Sequence, residues 1–164
     1  MNTISIKELG DFLENANKST YANKDALKVS ASRLKSSDYH FEKGNLIYHD
    51  TYFGARDFIG SEVVYKDELP VWGMNYYGYI LSPKIKEKEL YGFLRQALME
   101  EYMDVIPVRG PKEYKNGEWR YTNQANGGLN RFTGVEEICF KNELVYKADY
   151  HGGFIISLEM NRSQ

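Results

Sequence analysis

The stretch FIGSEVVYKDELPVWGMNYYG, residues 58–78, recurs 74 positions later as FTGVEEICFKNELVYKADYHG, residues 132–152. A repeat at fixed spacing constrains a fold more than any other sequence feature, because a small unit buries its apolar face by packing against its copy. Phe58, Gly60, Glu62, Val71, Tyr76 and Gly78 meet the same residue types at Phe132, Gly134, Glu136, Val145, Tyr150 and Gly152 without a gap. Val64/Ile138, Trp72/Tyr146 and Asn75/Asp149 are chemically similar pairs at the same spacing. Upstream, GNLIYHD (44–50) resembles GEWRYTN (117–123), and ELGDFLENA (8–16) resembles ELYGFLRQA (89–97). Three matches in one order make a doubled unit, with repeats at about 4–82 and 83–158.

Each unit reads as helix, loop, strand, loop, strand, turn, strand. In the first helix Ile6, Leu9, Leu13 and Ala16 follow the three-four spacing of one face, with Phe12 beside them. Ser5 and Glu8 have the spacing of a capping box. In the second, Leu90, Phe93, Leu94, Ala97 and Leu98 form the stripe, Ser82 caps it ahead of Pro83, and the helix ends near Tyr102–Asp104. KDEL (66–69) and KNEL (141–144) break the strands as polar turns. The long loop 17–43 hides a short strand around Leu27–Ser32, and its Ser/Lys-rich end is expected to be mobile. TYFGARD (51–57) and NQANGGLNR (123–131) read as flexible connections. The expectation is one α+β domain spanning residues 1–164, mostly antiparallel, with a pseudo-two-fold axis and the helices on one side of the sheet.

Composition narrows function chiefly by exclusion. A net charge of −2 with no basic stripe argues against direct nucleic-acid binding, which needs a phosphate-facing patch. Lys84, Lys86 and Lys88 read as a solvated helical turn. Cys139 is the only cysteine, so no intramolecular disulfide forms, and it reads as a packed strand residue. The N-terminal stretch lacks a secretory pattern and no run reaches the length of a membrane span, so a soluble cytoplasmic protein is expected. His40, His49 and His151 show no metal-ligand spacing, and no cofactor motif is present. Aromatic residues are abundant at 15 %, with 14 Tyr, which suits a half-buried sheet or a pocket wall whose hydroxyls need partners.

The feature that points to chemistry is a glutamate on the oily face. Side chains alternate along a strand, so Phe58, Gly60, Glu62 and Val64 share one face, as do Phe132, Gly134, Glu136 and Ile138. In the returning strands Trp72, Met74, Tyr76 and Gly78 share a face, as do Tyr146, Ala148, Tyr150 and Gly152. Tyr76 or Tyr150 would offer each glutamate a hydroxyl. Asn75 and Tyr77, or Lys147, Asp149 and His151, mark the wetter face. A buried carboxylate without partners is costly, so each glutamate is either held by tyrosine hydroxyls as a structural device or left for a ligand. YHDTYFGARDF (48–58) gathers His49, Asp50, Tyr52, Arg56 and Asp57, and reads as a turn with its own salt bridges.

The central runs also resemble an uncharacterised bacterial family of the domain-of-unknown-function class, across Phe12–Ile156. The positions that carry the resemblance are Tyr52, Phe53, Gly54, Phe58, Gly60, Glu62, Val71, Trp72, Met74, Asn75, Tyr76 and Gly78. Some members of that family attach the domain to a helix-turn-helix module, which implies a sensory or regulatory role. The first helix here reads as part of the repeat rather than as such a module, so DNA binding is not expected to transfer with the resemblance. In architecture, a doubled helix-plus-strands unit with a central glutamate is similar to the effector-binding domains of multidrug-responsive regulators. There each repeat runs strand, helix, strand, strand, which would make Met1–Ile4 the leading strand.

The leading expectation is a non-catalytic ligand-binding or sensor domain for a small organic molecule, cationic or aromatic. Its site would comprise Glu62, Trp72, Tyr76, Glu136, Tyr146 and Tyr150, with Tyr52 and His151 at the rim. The enzyme alternative is a hydrolase or lyase in which a glutamate of raised pKa acts with a tyrosine. The third is a homodimeric interaction module pairing by edge strands.

Overall fold

The computed structural model describes residues 4–100 and 106–156. Helix α1 (Ile6–Ser19) leads into four strands, β1 (Ser37–Lys43), β2 (Leu46–Gly54), β3 (Asp57–Lys66) and β4 (Leu69–Ile80). Helix α2 (Glu87–Met99) then precedes β5 (Glu113–Asn116), β6 (Trp119–Gly128), β7 (Arg131–Phe140) and β8 (Glu143–Phe154). The strands form one antiparallel sheet in the order β1-β2-β3-β4-β8-β7-β6-β5. The architecture is α+β.

Alternation decides the faces as the sequence anticipates. Trp72, Met74, Tyr76, Gly78 and Ile80 of β4 are buried, and Asn75 and Tyr77 are exposed. Both helices cover that same inner face. Leu9, Phe12, Leu13 and Ala16 of α1 pack with Val64, Trp72, Met74 and Tyr150. Leu90, Phe93, Leu94, Ala97 and Leu98 of α2 pack with Tyr121, Ile138, Val145 and Tyr146. Fully burying an aliphatic side chain contributes roughly 1.5–3 kcal/mol, so the two helical stripes dock the helices without help from intrinsic propensity. Ile6 falls outside its stripe and is exposed. Among the described residues no helix is long and apolar enough to cross a membrane.

The hairpins explain the recurring letters. Asp67 and Glu68 join β3 to β4, and Lys141 and Asn142 join β7 to β8, all four at positive φ, as a tight hairpin turn of matching twist requires. These turn residues stand 74 apart, so KDEL and KNEL are one position out of step with the structural correspondence. Gly60 lies opposite Tyr76 and Gly134 opposite Tyr150. A Cβ on Gly60 would come within 2.3 Å of the Tyr76 hydroxyl, and one on Gly134 within 2.1 Å of the Tyr150 ring, so each glycine clears the floor beneath a tyrosine.

Several sequence expectations change. Ser36–Lys43 is no mobile end: β1 runs there, with Asp38 and Tyr39 buried, because Asp38 is hydrogen-bonded by Ser32, Ser36 and His49. Each half therefore has a fourth strand, and the strand-helix-strand-strand order of the regulator domains does not apply. Ile4 precedes α1 outside any strand, and Met1–Thr3 lie outside the described residues. The strand expected around Leu27–Ser32 reduces to one bridge, Val29 to Asp38. TYFGARD and NQANGGLNR are strand ends and tight turns, since their backbones continue the β2–β3 and β6–β7 ladders.

At the helices, Ser5 caps α1 through a 3.1 Å bond from the Glu8 amide, while the Glu8 carboxylate turns to Lys66. Ser82 does not cap α2. The helix starts after Lys86, because the Ser82 carbonyl is taken by Arg56 and the intervening turn drops Ile85 into the core. It stops at Met99, and the end expected at Tyr102–Asp104 falls outside the described residues.

Candidate functional site

The two glutamates face inward, 3 % and 0 % exposed, and have opposite fates. Around Glu136, β6 supplies Tyr121 and β8 supplies Tyr146, whose hydroxyls donate at 3.0 and 2.7 Å. Arg109, from the segment after α2, closes the shell with a two-pronged ion pair at 3.0 and 2.6 Å. Glu136 is thus a saturated structural carboxylate, with both oxygens bonded.

Around Glu62 the corresponding groups differ. Trp72 stands where the second half has Tyr146, and its indole nitrogen donates instead to the Leu129 carbonyl at 3.0 Å. Tyr48 of β2 brings its hydroxyl within hydrogen-bonding reach of the Glu62 carboxyl. Glu62 Oε2 is buried without any hydrogen-bond partner among the described residues. Its direct cross-strand neighbour is a second buried acid, Asp50, where the second half pairs Glu136 with Asn123. Tyr76 donates to Asp50 at 2.7 Å, as Tyr150 donates to Asn123 at 2.6 Å.

Two carboxyls side by side away from water cannot both ionise cheaply. Burial pushes Glu62 up to about 8, with the Asp50 charge adding to the rise. Burial likewise pushes Asp50 up to about 7, against the Tyr76 hydrogen bond and the Arg109 charge, which pull it down. The pair therefore carries a proton near neutrality, while Arg109 spends its charge on Glu136.

Asp50 and Glu62 line a cavity of about 250 Å³ that reaches the surface between α1, α2 and strands β1–β4. Tyr21, Tyr48, Tyr52, Phe58, Tyr76 and Tyr91 supply aromatic wall, and Lys28, Arg95 and Arg109 also border it. Tyr52 is half-buried and stacks on Tyr39 with ring centres 6.4 Å apart. Arg109 holds its guanidinium 5.9 Å from the Tyr76 ring, between the two halves of the sheet.

Of the residues singled out in sequence, Glu62, Tyr76 and Tyr52 border this cavity. Glu136 and Tyr146 form the closed cluster beside it, one residue away through Arg109. Trp72 packs flat against Phe132, ring centres 5.7 Å apart, away from the cavity lining. Tyr150 is committed to Asn123 in the core. His151 is exposed on the opposite face of the sheet, paired in register with Asn75 and Thr133, so it is no rim residue. Neither Tyr76 nor Tyr150 bonds the glutamate of its own hairpin; both reach one strand further. Residues 48–58 are a strand and tight turn rather than a loop with its own salt bridges, because their backbone is bonded to β1 and β3.

Asp50, which the sequence reading assigns to a turn, lies in β2 opposite Glu62, and the signal is in the sequence: Tyr48, Asp50 and Tyr52 share a strand face by the same alternation that flags Glu62. Arg109 carried no local signal, since its segment has no periodicity. Among the described residues no group of three or more His, Cys, Asp and Glu side chains could hold a metal ion.

Residues 50–155 match the model of a family described as a domain of unknown function (DUF5680), a span that starts at Asp50 and contains both glutamates. No curated protein and no solved structure matches the chain.

Proposed function

We propose that this chain, which belongs to the DUF5680 family, is a non-catalytic receptor or sensor domain for a small organic molecule bound between the helices and the sheet. The carrying observation is that Glu62 borders the cavity and that its Oε2 is buried with no hydrogen-bond partner among the described residues. A buried acceptor left empty costs about 1–3 kcal/mol, and a ligand N–H would remove that cost. The aromatic wall favours an apolar or cationic body, and cation–π contacts add about 0.5–2 kcal/mol each. At about 250 Å³ the cavity suits a small metabolite.

An internal duplication underlies this reading. Strands β3 and β7, and β4 and β8, begin and end 74 positions apart, and both hairpins shift register at corresponding places, Val64/Tyr65 and Ile138/Cys139. At the junction of the halves, Tyr76 pairs with Tyr150, its own counterpart, and Trp72↔Phe154 is mirrored by Ile80↔Tyr146. That is the register a pseudo-two-fold axis through the Tyr76–Tyr150 pair would impose. One copy then kept its glutamate closed with Arg109, and the other opened it to the cavity.

A second reading, acid–base catalysis, draws on the same pair. One protonated and one ionised carboxyl at neutral pH could serve a hydrolase or lyase, with Tyr48 or Tyr76 assisting.

The test is a thermal-shift screen of diverse metabolites and amines on the native chain and on Glu62→Gln. A true ligand at about 100 times its Kd adds ~2.7 kcal/mol. For a chain of this size that raises the melting temperature by roughly 5–10 °C. The gain should vanish in Glu62→Gln while the fold stays intact. If no compound gives a shift that depends on Glu62, the receptor reading fails; turnover of a shifting compound would favour the catalytic one.

A further inference from the structure

The charges that border the cavity are sorted by sign. Asp50 and Glu62 lie side by side on the sheet floor. Lys28 and Arg95 gather instead about the Tyr21–Tyr52 ring pair, whose centres are 6.5 Å apart. The Lys28 ammonium stands 5.0 Å from the centre of the Tyr52 ring, and the Arg95 guanidinium stands 5.0 Å from that of Tyr21. Neither cation meets a carboxylate among the described residues. Lys28 donates to Ser37 Oγ at 2.9 Å, and Arg95 donates through Nε to the Tyr21 carbonyl at 3.2 Å.

The two remaining charged liners do not blur this division. Arg109 is neutralised by Glu136. Glu87 sits in the first turn of α2, eight residues before Arg95 and so about 12 Å along the helix axis from it.

We propose that the ligand is amphoteric: an organic ammonium seated on Asp50 and Glu62, joined through an apolar spacer to an anionic group held by Lys28 and Arg95. This deepens the receptor reading and rests on it. Asp50 and Tyr52 stand two residues apart on one face of β2, about 7 Å along the strand, and both cations lie out at the tyrosine rings, so the ligand's two charges are separated by a spacer of several bonds. An α-amino acid is too short for that span. An amino acid bearing its amine at the far end of a five- or six-atom chain, or across a benzene ring, fits it. A simple amine would leave both cations without a counter-charge, and a simple acid would meet the repulsion of the floor. Selectivity over both follows from that complementarity.

The experiment is isothermal titration of the whole chain at pH 8.5 with two matched sets of probes. One set is 6-aminohexanoate, hexylamine and hexanoate; the other is 4-(aminomethyl)benzoate, benzylamine and benzoate. In at least one set the amphoteric probe should bind about tenfold more tightly than its amine and its acid, as a charge-assisted pair at each end predicts. The double variant Lys28→Ala/Arg95→Ala should abolish the advantage of the amphoteric probe over the amine without weakening the amine. Glu62→Gln should weaken both. Equal affinity for amine and amphoteric probe, or indifference to the double variant, overturns this inference while the receptor reading stands. So does a pocket that prefers the acid. Silence from all six probes also overturns it, and the metabolite screen then decides the receptor reading alone.

Discussion

Asp50 and Glu62 are direct partners across the β2–β3 ladder, both on the buried face, and among the described residues no cation forms an ion pair with either. The equivalent place in the second half pairs Asn123 with Glu136 and adds Arg109. One sheet thus holds the same carboxylate twice, once satisfied and once strained by a like neighbour. Two consequences for stability follow from that difference.

The acid pair should make the protein less stable as pH rises through neutrality. The carboxyls of Asp50 and Glu62 titrate at about 7 and about 8 in the folded chain, above their ordinary values. The native state therefore holds more protons than the unfolded one between about pH 4 and pH 8, and stability declines across that window as pH climbs. Glu62→Gln or Asp50→Asn should flatten the decline and raise the urea midpoint at pH 8.5. Unchanged midpoints from pH 5 to pH 8.5 in the native chain would refute it.

Removing Arg109 should be severe. Arg109→Ala strands a buried Glu136 with only two tyrosine hydroxyls, at a cost of about 3–5 kcal/mol. Pairing it with Glu136→Gln should recover much of the loss, because the uncompensated charge disappears with its partner. Chemical denaturation of the single and double variants measures both, and a loss below about 1 kcal/mol for the single variant would contradict the assignment.

Asp38 works in the opposite direction from the acid pair. Burial alone would raise it, but hydrogen bonds from Ser32, Ser36 and His49 outweigh burial and hold the carboxyl well below its ordinary range. The stability it contributes is present above about pH 4, the unfolded value, and is lost as pH falls below it. Asp38→Ala should cost about 1.5–3 kcal/mol at pH 7 and progressively less in acid. Limited proteolysis should then cut residues 30–36 faster than in the native chain.

Two glycine substitutions should move stability in opposite directions. Gly134→Ala drives a methyl into the Tyr150 ring and should cost about 1–3 kcal/mol or more. Gly92→Ala, inside α2 with open space around it, should stabilise the chain by roughly 0.5–1 kcal/mol. Thermal denaturation reads both; equal effects at the two positions would refute the packing account.

Much of this protein was legible in the order of its residues, because the informative signals were local. Period-two alternation put Glu62, Glu136, Trp72 and Tyr76 on the inner face, and the helical stripes around Leu13 and Leu94 predicted which sides dock. The unrecognised strands β1 and β5 are short edge elements whose polar letters reflect a solvent-facing side, so alternation had little to act on.

The chain's letters alone determined two hairpins of similar sequence, each with an acid pointing inward, since strand geometry forces alternate side chains to one side. Tertiary structure decided which acid is finished and which is left open. Arg109 lies 27 residues before Glu136 and reaches it only once the segment after α2 folds over the sheet, while Trp72 turns its one polar atom away from Glu62 toward Leu129. Charge satisfaction depends on distances of a few ångströms across the folded chain, and no local pattern encodes those.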